Sequence, residues 1–281
     1  MLPITLLLGL SLSAHANNHG NKTVLVSVHP LALLIQSAWP TLNVSSLVSA
    51  NQSPHDFVLK PSDMRRIHTA EAVIWMGKEF EPYLSKVLRN KANVDLAEVL
   101  PHTSHSDHEQ AHEEHDHSEH AHDPHLWLDP NSILKMLAQV KATLDLPQPT
   151  AFIQNYEAWL SKAHTVLKPH HSVGFVSFHD AFQEWVQAFD LNQLMVVTSN
   201  PEKPVGTRHV VKVRNVLASG QAACLFVEPQ FQSRIVKKLH QGLDVSVINI
   251  DPMASDYAVV DGNFIEFYDV LLSNFTQCLN P

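Results

Sequence analysis

The sequence predicts an α/β protein of two lobes, each a parallel sheet flanked by helices, joined by one long backbone helix. Three observations carry this. Short β-branched or apolar runs alternate with helical patterns through the first hundred residues; a single long apolar stripe follows; the same alternation then resumes to the carboxyl end. Strands that alternate with helices are the pattern of parallel sheets with crossover connections.

The opening MLPITLLLGLSLSAHA is an apolar run too short to span a bilayer, and it ends in the small-x-small triplet Ala14-His15-Ala16. Residues 1–16 read as a cleaved export signal, although no Lys or Arg precedes the run. Strand candidates follow in TVLVSV from Thr23, NVSSLV from Asn43 and AVIWMG from Ala72, then a helical EPYLSKVLRN from Glu81. Trp75 in the third run reads as strand core. Ser62, after Pro61, is expected to cap the helix MRRIHTAEA. A histidine-rich tract, 102–123, has no apolar periodicity and reads as a solvated insertion. It ends abruptly in an apolar, strand-like HLWLDP.

From Pro147 to Lys168, apolar residues at Phe152, Tyr156, Trp159, Leu160, Ala163, Val166 and Leu167 form a helical stripe, with Pro149 near its first turn. Such a helix reaches roughly 30 Å, the height of a lobe. The expected organisation is a first lobe over 17–146, a linker helix over 147–168 and a second lobe over 169–281. Four further strand candidates, SVGFVSF, LMVVTSN, ACLFVEP and VSVINIDP, carry polar residues at their carboxyl ends: His179, Asn200, Glu228 and Asp251. Ligands of open parallel sheets bind outside those ends, which puts His179, Glu228 and Asp251 on one rim.

A chain of 281 residues with 44% hydrophobic content has enough apolar surface for a sizeable core or two. Its net charge of −9 offers no basic stripe for nucleic acid and makes a cation the more natural guest. Only two cysteines are present, Cys224 and Cys278. An exported chain meets an oxidising compartment, where an even pair tends to bridge; two buried thiols are the alternative.

Outside the tract, three histidines stand in polar turns at element ends: His55 in SPHDFVLKPSD, His125 in DPHLWLDP and His179 in VSFHDAF. One such histidine is usually a surface or core residue, but three imidazoles and a carboxylate from separate loops match tetrahedral zinc coordination. Asp56 and Asp180 each follow a candidate ligand and are candidates to hold its second ring nitrogen. Helix capping competes with that role for Asp180 and is the favoured reading, because a helical AFQEWVQAF follows it. Trp127, Phe175 and Phe178 read as core packing.

Taken in order, PHDF-x-LKPSD, DPHLWLDP, FHDAF, NPE-x-x-x-G from Asn200, FVEPQF and the DP at Asp251 resemble the periplasmic metal-binding proteins of ABC-type zinc and manganese importers, most closely the high-affinity zinc-uptake members. The resemblance spans nearly the whole exported chain. It implies a rigid long helix between the lobes, metal in the interlobe cleft, His55, His125 and His179 as ligands, Asp251 at the fourth position and Glu228 as a cleft neighbour. Some zinc members place a glutamate before the first histidine; here that residue is Pro54. Manganese-type members carry a carboxylate where this chain has His179, so three imidazoles imply zinc. His29, in VSVHP, is not a ligand in the family.

In the tract, His102, His105, His108, His112, His115, His117, His120 and His122 alternate with acids and are expected to collect further ions weakly; a solvated acidic loop with no task is the alternative. The function this predicts is a periplasmic carrier that captures Zn2+ and delivers it to an ABC permease. A zinc hydrolase with Glu228 activating a water, and a zinc-binding surface adhesin, are the alternatives. The one H-E-x-x-H spacing, His108 to His112, falls in the tract without helical periodicity and not on an apolar-periodic helix, and with 8 glycines the chain has no phosphate-binding loop.

Overall fold

The computed structural model describes residues 22–99, 125–231 and 234–280. The export segment 1–16 and the tract 102–123 lie outside the described residues.

Two four-stranded sheets, every pairing parallel, carry the fold. The first contains β1 (Thr23–Val26), β2 (Asn43–Ser46), β3 (Ala72–Trp75) and β4 (Asn93–Asp95); the second contains β5 (Gly174–His179), β6 (Asn192–Thr198), β7 (Ala222–Val227) and β8 (Ser246–Asn249). Their orders, β2-β1-β3-β4 and β6-β5-β7-β8, are the same arrangement used twice. The central strands are buried on both faces, as a parallel sheet between helices requires. α1 (His29–Ala38) and α2 (Pro61–Thr69) belong to the first sheet; α6 (Gln183–Ala188), α7 (Thr207–Ala218) and α8 (Arg234–His240) belong to the second.

Between the two sheets in chain order come α4 (Ile133–Leu144) and α5 (Thr150–Leu167). The stripe read from the sequence is the buried face of α5: Phe152, Tyr156, Trp159, Ala163 and Leu167 are all inside. Tyr156 donates its hydroxyl to the Pro130 carbonyl at 2.7 Å, and Trp159 its indole N–H to Asp269 at 3.2 Å. The last helix, α9 (Asn263–Leu279), follows the second sheet in the chain yet packs on both halves. The Phe264 N–H donates to Ser37 Oγ at 3.3 Å in α1, and Tyr268 donates its hydroxyl to the Trp127 carbonyl at 2.7 Å. One apolar core therefore runs from Val24 through Trp127, Tyr156 and Phe175 to Leu279, with a smaller cluster around Val213 and Leu225 on the outer side of the second sheet. Cys224 of β7 is bridged to Cys278 of α9, with Cα atoms 5.5 Å apart.

Four local readings change. HLWLDP is one turn of 3-10 helix, Leu126–Leu128, closed by the Leu128 N–H to the His125 carbonyl at 2.8 Å. Its unbroken apolar character reflects burial between the lobes on every side, which periodicity alone does not distinguish from a buried strand. The helical EPYLSKVLRN keeps only its first turn, α3 (Pro82–Ser85). α2 starts at Pro61, so Ser62 lies inside the first turn, and Asp63 accepts the Lys60 backbone N–H at 2.9 Å. α6 starts at Gln183 with Phe182 at the cap position and no side-chain cap, so Asp180 is not its N-cap.

Candidate metal centre

The site forms where three polar turns converge. His179 ends β5 at the carboxyl rim of the second sheet, fixed by strand pairing to Thr198. His125 immediately precedes the 3-10 turn, whose Trp127 is fully buried and donates its indole N–H to the Pro252 carbonyl at 2.7 Å. That bond ties the His125 segment to the loop after β8. His55 sits in the turn between β2 and α2, where its N–H donates to Ser53 Oγ at 3.3 Å and buried Phe57 anchors the loop.

One ligand atom from each histidine lies within 4.8 Å of the other two. The ring centroids are 4.9 to 5.5 Å apart, and the planes are steeply inclined, between 59° and 79°. Among the described residues this is the group of histidine, cysteine or acidic side chains gathered for a metal ion. His179 is 2% exposed and His125 3%. The Nε2 atoms of His55 and His179 are buried with no hydrogen-bond partner. A buried ring nitrogen whose lone pair meets no hydrogen-bond donor is destabilising unless a cation takes up that lone pair.

The electrostatics suit a cation. Burial, reinforced by His125 and His179 alongside, pushes the His55 imidazole down to about 3, so it is neutral with its lone pair free near pH 7. On His179 the other ring nitrogen, Nδ1, lies 2.9 Å from Glu228 Oε1, and both side chains are almost wholly buried. The carboxylate accepts from Nδ1–H, which fixes the tautomer and aims Nε2 at the cluster. Glu228 is committed to that bond, which leaves it poorly placed to activate a water as the hydrolase alternative requires. Imidazole donors with no thiolate, one of them backed by a carboxylate, fit Zn2+ as cargo.

The remaining expected residues fall elsewhere. Asp251 is outside the three-histidine group; its carboxylate accepts from Gln230 Nε2 at 2.8 Å, the Met253 N–H at 2.9 Å, the Ser255 N–H at 2.6 Å and the Ser255 hydroxyl. Asp56 is exposed. Asp180 Oδ1 accepts from Gln193 Nε2 at 3.5 Å. His29 donates Nε2–H to the Tyr257 carbonyl at 2.8 Å, joining the first lobe to the same loop that Trp127 holds. Two features were not singled out beforehand: Gln230, which lines the pocket, and the cross-lobe bond of Trp127, a residue read simply as core. The signal for Gln230 was present in FVEPQF, two residues after Glu228.

The family described as zinc-uptake complex component A, periplasmic (ZnuA), matches residues 24–278. The high-affinity zinc uptake system protein ZnuA of Yersinia pestis is 30% identical over 305 residues, covering 95% of this chain and 94% of that protein. A crystal structure of ZnuA superposes with a TM-score of 0.74 at 19% identity, covering 92% of this chain and 98% of the other. The laminin-binding protein of Streptococcus agalactiae, described as bifunctional with adhesin and metal-transporting activity, superposes at 0.73 with 17% identity, covering 92% and 99%; at that identity the likeness shows the fold alone. The match over nearly every residue from β1 to the end of α9 establishes that this chain belongs to the periplasmic ZnuA family of zinc-uptake components.

Proposed function

We propose that the chain captures Zn2+ in the periplasm through His55, His125 and His179 and passes it to the membrane permease of an ABC importer. The observation that carries this is the convergence of three imidazole ligand atoms within 4.8 Å of one another, drawn from both lobes. None of the three turns builds the site alone, so capture depends on the folded chain. His55 is the partly exposed member, at the mouth, while His125 and His179 are buried behind it.

The chain is a binding component of zinc transport and not an enzyme. Among the described residues no helix is long and apolar enough to cross a membrane. Passage across the bilayer therefore falls to the permease, the partner this reading requires. Three neutral nitrogen donors favour zinc over the harder manganese ion.

Protein purified without nickel affinity chromatography is expected to carry one tightly held zinc per chain by elemental analysis. Vesicles bearing the permease and its ATPase should accumulate labelled zinc only when the loaded chain is added. Purified protein without metal, or uptake indifferent to the chain, would contradict the reading.

A further inference from the structure

Three imidazoles leave a tetrahedral zinc ion one position short. Asp251, the fourth ligand implied by the resemblance, is already engaged by Gln230 Nε2, two backbone N–H groups and the Ser255 hydroxyl, spread over both of its oxygens. A carboxylate has about four lone-pair sites, so these four donors fill it. Turning either oxygen onto the ion would compete with the two donors that oxygen already holds.

The same contact fixes its neighbour. A carboxylate only accepts, so Gln230 must present its NH2 group to Asp251, which directs Oε1 the other way. That oxygen is buried and has no hydrogen-bond partner, and Gln230 lines the pocket with the three histidines. Of the pocket's other polar side chains, Glu228 accepts from His179, and Ser53 Oγ accepts from the His55 backbone N–H. An orphaned buried acceptor is costly, and a donor arriving with the cargo would relieve it.

We propose that Gln230 Oε1 accepts a hydrogen bond from a water molecule at the fourth position of the captured zinc, and that Asp251 is a positioning residue acting through Gln230. This rests on the zinc reading above. It gives the site a fourth ligand that an incoming group displaces without dismantling the protein's own bonds, a route for the ion to leave toward a receiving site.

The test uses the full chain loaded with Co2+, whose visible spectrum reports its ligands, titrated with azide; zinc affinity is measured in parallel by chelator competition. Wild type should show an azide-dependent spectral change. In Gln230→Met azide should bind about fivefold tighter and zinc about fivefold weaker, the usual worth of one neutral hydrogen bond. Asp251→Asn should shift azide binding in the same direction while zinc affinity falls by no more than about tenfold to a hundredfold, the range of a partner acting through another group. No azide response in wild type, with zinc affinity lost several hundredfold in Asp251→Asn, would make Asp251 a direct ligand and overturn the proposal. Equal azide affinity in wild type and Gln230→Met would also overturn it. Should Gln230→Met fail to fold by circular dichroism, the Asp251→Asn arm decides alone. A wild-type chain that takes up neither metal would overturn both this inference and the zinc reading.

Discussion

Removing the Cys224–Cys278 bridge by the double change Cys224→Ser and Cys278→Ser should destabilise the chain without abolishing its site. The bridge joins residues 54 apart in sequence, so the loop it closes in the unfolded chain is long. On the chain-entropy account a loop of that length contributes on the order of 4 kcal/mol. With a urea dependence of roughly 3 kcal/mol per molar, the top of the usual range, the unfolding midpoint should fall by about 1.3 M. The location gives the loss a direction. α9 is pinned to the first lobe at its amino end through Ser37 and Trp127, and to β7 at its carboxyl end by the bridge. β7 in turn leads directly to Glu228. Loss of the bridge should therefore loosen the second lobe first, visible as faster hydrogen exchange in β7 and β8 than in β1 and β3. Equilibrium denaturation of both forms, oxidised and metal-free, measures the midpoint. An unchanged midpoint, or exchange raised equally in both sheets, would refute the reasoning.

Glu228→Gln keeps an acceptor for His179 Nδ1–H but removes its charge, and zinc affinity in a competition titration should fall by about tenfold; Glu228→Leu, which removes the acceptor, should approach a hundredfold. Affinity unmoved by either would mean that the carboxylate does not orient the imidazole. Glu81 is buried at the carboxyl edge of the first sheet, accepting the Met76 N–H at 2.7 Å, and burial pushes its carboxyl up to about 7 from 4.5. The folded form therefore holds a proton that the unfolded chain releases. The associated stability is fully present below pH 4.5 and is lost as pH rises toward 7, roughly 3 kcal/mol in all. Glu81→Gln should flatten that part of the stability profile in urea titrations at stepped pH, and an unaltered slope would count against it. Deleting 102–122 while keeping Asp123, Pro124 and His125 should leave the first, tight zinc event of a calorimetric titration nearly unchanged and remove later weak ones. Loss of the tight event would show that the tract supplies a ligand.

The doubled parallel architecture was legible because each sheet is built from local signals: short apolar strands, polar turns at their carboxyl ends, and helical stripes between them. α5 was legible for the same reason, since Phe152, Tyr156, Trp159 and Ala163 repeat at helical spacing whatever they pack against. The straddling of both lobes by α9 was not, because the sequence of that helix reads only as apolar; its contacts with Ser37 and Trp127 depend on residues more than a hundred positions away. The HLWLDP turn failed as a strand for a related reason: a segment buried on all sides has no periodicity to betray its conformation. At the site, the three histidines were legible as residue types in polar turns that together match a zinc site, and the resemblance placed that site in the interlobe cleft. Glu228 and Gln230 differ instructively. The buried carboxylate at a strand end announces itself, whereas an amide whose task follows from which way Asp251 turns it leaves no pattern along the chain.

The central claim is that three imidazoles from separate turns make one tight zinc site, and chelator competition on the His179→Ala chain beside wild type tests it most directly. The wild type is expected to bind one zinc tightly. His179→Ala removes a buried donor aimed at the cluster and leaves Glu228 without its partner, so tight binding should weaken by orders of magnitude while any weak events persist. A variant that folds and still holds zinc as tightly as wild type would contradict the account.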